Sequence, residues 1–425
     1  MKPALYLDED SLIPDASETS TPQLKGVPKG HLAQSSEDLE RTLNLPTVAH
    51  AMRAYLARSE TFVHNQLSTL RRYRPLVLCH HLRPQNEFSY QSGVSARDVL
   101  PRSLAFVDGL AYRVGRVTLP ATSAALAEYT RSEEARLLHY HFLTDARFFL
   151  GIQRKTALPA IVSAYGYDVS SFPRAWKGMG LRYIRPVFDR ADCILAMTED
   201  MRDDLIALGC PSERVRVHYH GINTLRFRYP ERDYCAAGVT TILSCGRFVP
   251  KKGHALLLHA LRLIDRRGMR FKLVLVGDGP LRGDLERTVK SYDWAHCVTF
   301  SGQLPHMGSE LVSHYHAADI FALPSQTAHG EKEGIPGTLV EAMASGLPVV
   351  STQHAGIPAV IQPDVDGLLV PERDVRALAD ALDQLLTHTD LRAQLGRAAA
   401  ARAADELDVK SRTAALEVIY DEFAG

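Results

Sequence analysis

The sequence predicts two doubly wound α/β domains in tandem. Apolar runs of strand length alternate with amphipathic helical stretches from Thr47 onward, and the alternation restarts at Thr240 after a stretch without periodicity. This pattern is typical of mostly parallel sheets with both faces covered by helices. The 425 residues suit two domains of roughly 150–200 residues, each long enough to bury a hydrophobic core.

The first series begins with a strand at Thr47. Six apolar runs have strand length: 47–57, 74–80, 137–142, 157–165, 193–198 and 215–219. Between the first two runs, Val63, Leu67 and Leu70 share one helical face. Another helix is predicted over 123–136, with Ser123 as its N-cap.

The second series begins at Thr240 and repeats the alternation. Its predicted strands read TTILSCG, FKLVLVG, CVTFSG, DIFALPS, LPVVST and GLLV. Helices are predicted at 254–266, 281–290, 309–318, 338–345 and 373–387, and two more end the chain at about 389–405 and 411–423. A cleft between the two domains is expected, with ligands beyond the carboxyl ends of the strands.

The domain boundaries follow from these patterns. Residues 1–46 are rich in Ser, Thr, Pro and acids, which predicts a mobile leader. The two domains span 47–222 and 223–405, joined by an aperiodic linker, and a C-terminal helix at 406–425 is expected to pack back on the first domain.

Composition excludes several classes of protein. Hydrophobic residues make up 45% and charged residues 23%, and 49 basic groups balance 49 acidic ones, so neither disorder nor nucleic-acid binding is indicated. The apolar runs are too short to span a bilayer, and acids at Asp8, Glu9 and Asp10 argue against a signal peptide. Six scattered cysteines without C-x-x-C spacing indicate reduced core thiols, and the eighteen histidines lack metal-ligand spacing.

The most informative motif is EGIPGTLVEAMASGLPVVST, residues 333–352. If the segment between Glu333 and Glu341 is largely helical, the two carboxylates lie ~12 Å apart, about the span of a diphosphate and its ribose. With Pro336 as first helical residue, the amides of Gly337, Thr338 and Leu339 would be open phosphate donors. The alternative interpretation is a capped helix with two exposed glutamates.

Two further motifs follow predicted strands in the second domain. In GRFVPKKGH, Arg247 and Lys252 suit phosphate oxygens, although a solvated basic turn is the alternative. In VGDGPL, a glycine turn joins a strand to a helix and resembles half of a nucleotide loop, which is a weak signal by itself.

Together these motifs resemble the C-terminal half of GT-B glycosyltransferases, specifically the large retaining glycosyltransferase family 4. The resemblance runs from about Ala191 to the end of the chain, and SETFVHNQLSTL and PSQTAHGEKEGIP further resemble its colanic-acid and exopolysaccharide branch. It implies a GT-B fold, with two Rossmann-like domains facing across a cleft.

The resemblance also implies roles for residues. Arg247 and Lys252 would hold the diphosphate, and Glu341 would accept from the ribose hydroxyls. Glu333 would face the donor sugar beside the amides of Gly334 and Ile335, and Gly337, Thr338 and Leu339 would contact phosphate. Similar enzymes need no metal or other cofactor, because the paired basic groups stabilise the leaving diphosphate.

The N-terminal half resembles the family less closely. The segment LLHYHFLTDA resembles its His-rich strand end, and IVSAYGYDVSS resembles its HGxD turn, with Tyr165 in place of the usual His and with Asp168 retained. The family's Gly-Gly loop is replaced by YLARSETF. We expect Ser59, Glu60 and His141 on the acceptor side with Tyr165 and Asp168; Glu60 serves equally well as a helix N-terminal acid.

The expected function is transfer of a sugar, with retention, from a UDP- or GDP-sugar to a hydroxyl of a glycan or lipid-diphosphate-linked acceptor. Two alternatives remain: another GT-B enzyme such as a UDP-sugar epimerase, and a non-catalytic nucleotide-sugar-binding protein. A nicotinamide dehydrogenase is disfavoured, since no G-x-G-x-x-G follows a strand.

The net charge of zero conceals opposed segments. Residues 1–46 carry 4 basic and 8 acidic groups, residues 47–222 carry 23 and 16, and residues 223–425 carry 22 and 25. The first domain is therefore basic, with Arg71, Arg72 and Arg74 close together. A solvated basic face explains this excess of basic residues. The excess also suits a cytoplasmic protein that lies peripherally on an anionic inner membrane.

Overall fold

The computed structural model describes residues 44–55, 61–82, 93–115, 117–229, 232–234, 238–268, 270–306 and 308–425. Residues 44–425 form one compact unit. Ser59, Glu60, Cys235 and the leader up to residue 43 lie outside the described residues. The five described cysteines carry free thiols, as the scattered spacing predicts. In the described part of the chain, no helix combines the length and the apolar character needed to cross a bilayer.

The first sheet has seven parallel strands in the order β3-β2-β1-β4-β5-β6-β7. Its central strands are buried on both faces, as expected for a sheet covered by helices on each side. The strands are β1 Thr47–Tyr55, β2 Arg74–Leu82, β3 Gly93–Ser95, β4 Ala135–His141, β5 Ala160–Ser163, β6 Cys193–Ala196 and β7 Val215–Val217.

Nine helices accompany this sheet in the described residues. They are α1 Thr61–Thr69, α2 Ala96–Val99, α3 Arg102–Gly115, α4 Pro120–Ser132, α5 Leu143–Thr156, α6 Gly166–Val169, α7 Ala175–Phe188, α8 Glu199–Ala207 and α9 Thr224–Phe227, the last in the linker. Within α7 the backbone is left-handed from Trp176 to Gly178, which interrupts the helix near its start.

The second sheet has six parallel strands in the order β10-β9-β8-β11-β12-β13. The strands are β8 Thr241–Cys245, β9 Lys272–Val276, β10 Val298–Gly302, β11 Ile320–Ala322, β12 Val349–Thr352 and β13 Leu368–Val370. Its helices are α10 His254–Arg266, α11 Arg282–Ser291, α12 Ser309–Ala317, α13 Gly337–Ala344, α14 Val375–Thr387 and α15 Thr389–Glu406.

The last helix, α16 Val409–Ala424, lies against the first sheet. Glu417 accepts hydrogen bonds from the backbone amides of Arg71 and Arg72, both at 2.7 Å. The Tyr420 hydroxyl lies 2.5 Å from His139 Nδ1 inside the first domain. The chain therefore crosses from the first domain to the second and returns with its final helix.

Two local predictions were wrong. Helix α4 begins at Pro120 with Leu119 as N-cap, so Ser123 lies inside the helix, where it is buried. Proline at the first helical position is favourable because its missing N–H needs no acceptor there. Pro336 is the N-cap of α13 and not its first residue. The stretch from Glu333 to Pro336 is therefore not helical, and the premise of a helix spanning both glutamates fails.

The strand order places two switch points at the carboxyl edges of the sheets. In the second sheet the order reverses between β8 and β11, and the segments after these strands carry Arg247, Lys252 and Glu333. In the first sheet the reversal lies between β1 and β4, where His141 ends β4. Ligands bind at such points in open α/β sheets.

Candidate active site

A buried ion pair joins two of the predicted site residues. Lys252 Nζ lies 3.1 Å from Glu333 Oε2, and their side chains are only 13% and 9% exposed. Lys251 Nζ lies 3.9 Å from the other carboxylate oxygen, Glu333 Oε1. Burial opposes ionisation of Glu333, but the charges of Lys252 and Lys251 outweigh it and lower its pKa. The site thus holds a carboxylate between two ammonium groups.

Tight backbone contacts hold the lysines in place. Gly253 has φ of +71°, and a Cβ there would lie 1.9 Å from the Pro324 carbonyl oxygen, so only glycine lets the turn meet the end of β11. A Cβ on Gly277, in the VGDGPL motif, would lie 2.1 Å from the Gly246 carbonyl oxygen. The glycines of that motif therefore support the loop that carries Arg247 and Lys252. Arg247 itself is exposed at the start of the loop.

The second glutamate, Glu341, is held through both carboxylate oxygens. The Tyr315 hydroxyl donates to Oε2 at 2.7 Å, and His306 Nε2 lies 3.0 Å from Oε1. Glu341 is 4% exposed and Tyr315 is fully buried. This clamp fixes the orientation of a carboxylate near the N-terminus of α13.

Several polar groups around the two glutamates lack a hydrogen-bond partner in the described structure. Glu333 Oε1, Thr338 Oγ1, His306 Nδ1 and the Tyr219 hydroxyl are buried without a hydrogen bond. Native proteins satisfy most buried polar atoms, so a bound ligand or an ordered water is expected to complete the bonding of these groups.

The amides at the start of α13 differ from one another. Leu339 donates to the Pro336 carbonyl at 3.0 Å and is therefore occupied. Within the described residues, the amides of Gly337 and Thr338 have no backbone acceptor of this kind. Two of the three amides predicted to bind phosphate are thus available. Gly334 and Ile335 lie in the non-helical segment directly before them.

Tyr165 faces a cluster of buried histidines. Its hydroxyl lies 3.2 Å from His141 Nδ1, and His141 Nε2 lies 3.1 Å from His50 Nδ1. Tyr165 is 8% exposed, and Phe62 and Phe142 pack against its ring. Burial lowers the pKa of His141 to about 3, so this imidazole is neutral at pH 7.

Asp168 is fully buried and organises two turns. Its carboxylate accepts from the amides of Leu143 at 3.0 Å and Tyr165 at 3.3 Å, which joins the end of β4 to the start of α6. Burial raises the pKa of Asp168 to about 7, against the opposing effect of these amides. The geometry gives Asp168 a supporting position beneath the predicted acceptor side.

One group in the described residues has the composition of a metal site. His50, His139 and His141 place one nitrogen each within 4.8 Å of one another. Hydrogen bonds already engage these rings, however: His139 contacts the Tyr420 hydroxyl at 2.5 Å and Ser163 Oγ at 2.8 Å. Within this cluster, the nitrogen that lacks a partner is His50 Nε2. The expectation of a metal-free site stays a prediction.

The segment that carries Glu333 also contacts the first domain. Lys332 Nζ pairs with Asp204 at 2.8 Å and with Asp200 at 3.2 Å, both on α8. Arg174 donates to the Gly330 carbonyl at 2.9 Å. A Cβ on Gly166, next to Tyr165, would lie 3.3 Å from the Gly334 nitrogen. The Tyr165 turn and the Glu333 segment therefore meet across the cleft.

Sequence reasoning missed four residues that complete the site. Tyr315 and His306 lie far from Glu341 in the chain, and no local pattern links them to it. His354, after β12, accepts from the Glu333 amide, and Glu372, after β13, contacts His354 and accepts from the Thr327 amide. The PERD segment that contains Glu372 carries no signal of its own apart from the family resemblance.

Two facing Rossmann-like domains with this arrangement define the GT-B class. The structural comparison agrees: a crystal structure of Anabaena HepE in complex with UDP matches with a TM-score of 0.70 and 17% identity, over 89% of this chain and 100% of that one. At this identity the likeness shows the fold alone.

Glycosyltransferase family models match both domains of the chain. Residues 236–402 match the family described as Glycosyl transferases group 1, and residues 59–226 match Glycosyltransferase Family 4. The predicted family and fold are therefore confirmed.

Relatives of the predicted branch are also found. Amylovoran biosynthesis glycosyltransferase AmsK of Erwinia amylovora is 38% identical over 200 residues, which is 47% of this chain and 48% of that protein. The putative colanic acid biosynthesis glycosyltransferase WcaL of Escherichia coli K12 is 38% identical over 197 residues, 46% of this chain and 48% of WcaL. The chain thus matches about half the length of these relatives.

Proposed function

We propose that the protein is a retaining glycosyltransferase of polysaccharide biosynthesis. It would move a sugar from a UDP- or GDP-sugar to a hydroxyl of a glycan or lipid-linked acceptor. The observation that carries the proposal is the largely buried Lys252–Glu333 pair, together with the clamped Glu341, on the segments that follow the strands at the switch point of the second sheet. The names of AmsK and WcaL support the polysaccharide context.

The nucleotide-sugar donor would bind along the carboxyl edge of the second sheet. Lys252 and Arg247 supply positive charge for the diphosphate, and the open amides of Gly337 and Thr338 add donors at a helix N-terminus. The Glu341 carboxylate accepts from the ribose hydroxyls. Glu333 Oε1, buried and without a hydrogen bond, accepts from a hydroxyl of the donor sugar.

The chemistry needs positioning and charge stabilisation. The bond between the anomeric carbon and the leaving phosphate oxygen breaks as the acceptor oxygen bonds to the same face of that carbon. The acceptor proton passes to the leaving phosphate oxygen, so no protein nucleophile is required. Lys252 and Arg247 stabilise the charge on the diphosphate, the part that a divalent cation plays in other enzymes.

Turnover of a defined donor tests this proposal. The purified chain is screened with UDP- and GDP-sugars in EDTA for nucleotide release in the presence of an acceptor pool. We expect release that a Glu341→Ala, Lys252→Ala double variant abolishes and that the exposed Lys290→Ala control retains. NMR of the product anomer tests retention. Donor binding without turnover in any acceptor pool would instead indicate a non-catalytic binding protein, and an epimerised donor an epimerase.

The acceptor side is proposed to lie near an anionic membrane. Of the three neighbouring arginines that make this part of the sequence basic, Arg72 pairs with Glu417 and Asp421, and Arg74 pairs with Glu133 at 3.0 Å. The third, Arg71, is exposed. These arginines therefore contribute little to a basic face.

A more basic exposed segment includes α7. From Arg174 to Phe188 the sequence has no acidic residue, and Lys177, Arg182 and Arg185 are exposed. Two large apolar side chains of the same segment are also exposed: Trp176, in the left-handed interruption, at 53%, and Met179 at 61%. Aromatic and apolar groups flanked by cations are typical of helices that lie on anionic lipid.

Vesicle binding tests this part of the proposal. We expect sedimentation with vesicles of phosphatidylcholine and phosphatidylglycerol that weakens at raised salt and is lost in Trp176→Ser, Lys177→Ser. Leu225→Ser, which alters an apolar side chain that is 58% exposed in the linker, is the matched control. Equal binding to pure phosphatidylcholine would contradict the proposal.

A further inference from the structure

A chain of three hydrogen bonds lies behind Glu333. The Glu333 amide donates to His354 Nε2 at 3.0 Å, and His354 Nδ1 lies 2.7 Å from Glu372 Oε1. The other oxygen of Glu372 accepts from the Thr327 amide at 2.7 Å. His354 is 1% exposed, so the chain is shielded from water at its centre.

The bonding fixes the tautomer of His354. An amide can only donate, so Nε2 must be the unprotonated nitrogen, and Nδ1 carries the hydrogen and donates to Glu372. Although burial opposes it, the Thr327 amide and His354 lower the pKa of Glu372, which keeps this carboxylate an acceptor. Each of the three hydrogen bonds therefore has a defined donor and a defined acceptor.

These bonds tie down a segment that lacks regular structure. The described residues between β11 and α13 form no helix or strand, and Ala328 and Glu331 make an isolated bridge there. Thr327 and Glu333 stand at the two ends of this turn. His354 follows β12 and Glu372 follows β13, so two adjacent strand ends hold the turn from outside.

We infer that His354 and Glu372 are positioning residues that set the backbone at Glu333 and so aim its carboxylate at the donor. The inference rests on the proposed function for the role of Glu333. The arrangement is indirect: the histidine touches the main chain of Glu333 while Lys252 holds its side chain. Together they fix the residue at both ends.

A packing role alone makes a different prediction. A buried aromatic ring that only fills space needs neither nitrogen bonded, and its replacement affects folding without regard to which nitrogen is mimicked. Here both nitrogens have partners of opposite kind. Amide side chains can mimic them separately, since Gln places its terminal oxygen near the position of Nε2 and Asn places its terminal group near Nδ1.

The test compares His354→Gln with His354→Asn. A displacement of about 1 Å at a reacting group costs up to about 100-fold in rate, so we expect His354→Asn to lower kcat about 10- to 100-fold with little change in the KM for donor. His354→Gln should retain kcat within a few-fold. His259→Asn, at an exposed histidine that contacts the Tyr292 hydroxyl, is the matched control.

Hydrogen exchange supplies a readout that does not depend on turnover. Amides of residues 327–335 should exchange faster in His354→Asn and in Glu372→Ala, and at the wild-type rate in His354→Gln. Equal exchange in all variants, or equal loss of kcat in Gln and Asn variants, would overturn the inference. If the wild-type chain turns over no donor, the proposed function fails, whereas the exchange pattern still decides whether His354 holds this segment.

Discussion

Replacing Tyr315 by Phe removes one buried oxygen atom and leaves the ring in place. That oxygen donates to Glu341 Oε2 at 2.7 Å, in a position fully shielded from solvent. The substitution therefore tests the clamp on Glu341 without opening a cavity. The remaining carboxylate oxygen keeps its contact with His306.

The size of the effect follows from the charge of the acceptor. A hydrogen bond to a charged group contributes about 1.5–3 kcal/mol, and a neutral one about 1 kcal/mol. We expect Tyr315→Phe to lower the free energy of unfolding by about 2 kcal/mol. The matched control is Tyr234→Phe, which removes a bond of the same length, 2.7 Å, to the neutral carbonyl of Gly346. We expect about 1 kcal/mol or less for this control.

The chain has a convenient reporter for this measurement. Of its two tryptophans, Trp294 is buried in the second domain at 2% exposure, whereas Trp176 is 53% exposed. A red shift of tryptophan emission in urea therefore follows unfolding around Trp294. With a urea dependence of about 2 kcal/mol per molar, the midpoint for Tyr315→Phe should fall by about 1 M.

A double-mutant cycle isolates the pair. In a Glu341→Gln background the acceptor is neutral, so Tyr315→Phe should cost about 1 kcal/mol less than in the wild-type chain. Equal losses in both backgrounds, or a Tyr315→Phe midpoint no lower than that of Tyr234→Phe, would refute the clamp as described.

Three further predictions concern charge. Lys252→Met removes the nearest cation from a buried carboxylate, so the pKa of Glu333 should rise, and the acid limb of the rate of nucleotide release should move to higher pH. Burial raises the pKa of Asp168 from 3.8 to about 7, so between these two pH values the native state holds a proton that the unfolded chain releases. The free energy of unfolding should therefore fall as the pH rises from about 4 to about 7, and this pH dependence should disappear in Asp168→Asn. Lys332→Ala breaks partly exposed pairs with helix Glu199–Ala207, so donor affinity should fall only a few-fold at low salt and match wild type at about 1 M salt.

Each of these predictions has a contradicting outcome. An unchanged acid limb in Lys252→Met, with Lys290→Met as the control, would separate Glu333 from catalysis. If the free energy of unfolding instead increased as the pH rose from about 4 to about 7, and Asp168→Asn abolished this increase, the upward pKa shift assigned to Asp168 would be wrong. A salt-independent loss of affinity in Lys332→Ala would indicate a direct contact with the donor.

Periodicity predicted the layers of the fold because the burial of whole strands and helix faces is a repeating signal. The helix at 254–266 was predicted with the observed bounds, and the six predicted strands of each domain occur in the predicted order. The short strand β3 and the helices α2 and α3 that follow it were not predicted. Helix starts were less predictable. Ser123 was a plausible cap by type, but the chain begins the helix three residues earlier at Pro120.

The residues of the candidate site could be proposed from sequence only where they share a local motif. Glu333, Glu341, Arg247 and Lys252 lie in short segments after strands. The clamp on Glu341 was missed, because Tyr315 lies 26 positions before Glu341, on a different helix. The side chains that hold a motif residue in place come from distant segments, and no spacing rule encodes such contacts.

The structure shows the surroundings of Tyr165, which stands where the resembled family usually has His. Its hydroxyl is bonded to His141, a neutral imidazole one strand away, and its ring packs between Phe62 and Phe142. The residue thus belongs to a buried network that extends to His50. The role of Tyr165 on the acceptor side stays a prediction.

Calorimetric titration of UDP and of GDP into the purified chain in EDTA tests the central claim most directly. The arrangement of Lys252, Glu341 and the open amides of α13 predicts that one of the two nucleotides binds at a single site without a divalent cation. It also predicts that Glu341→Ala, Lys252→Ala removes this binding, whereas Lys290→Ala does not. Absence of binding by both nucleotides, or binding that survives the double variant, would contradict the claim that this edge of the second sheet is the donor site.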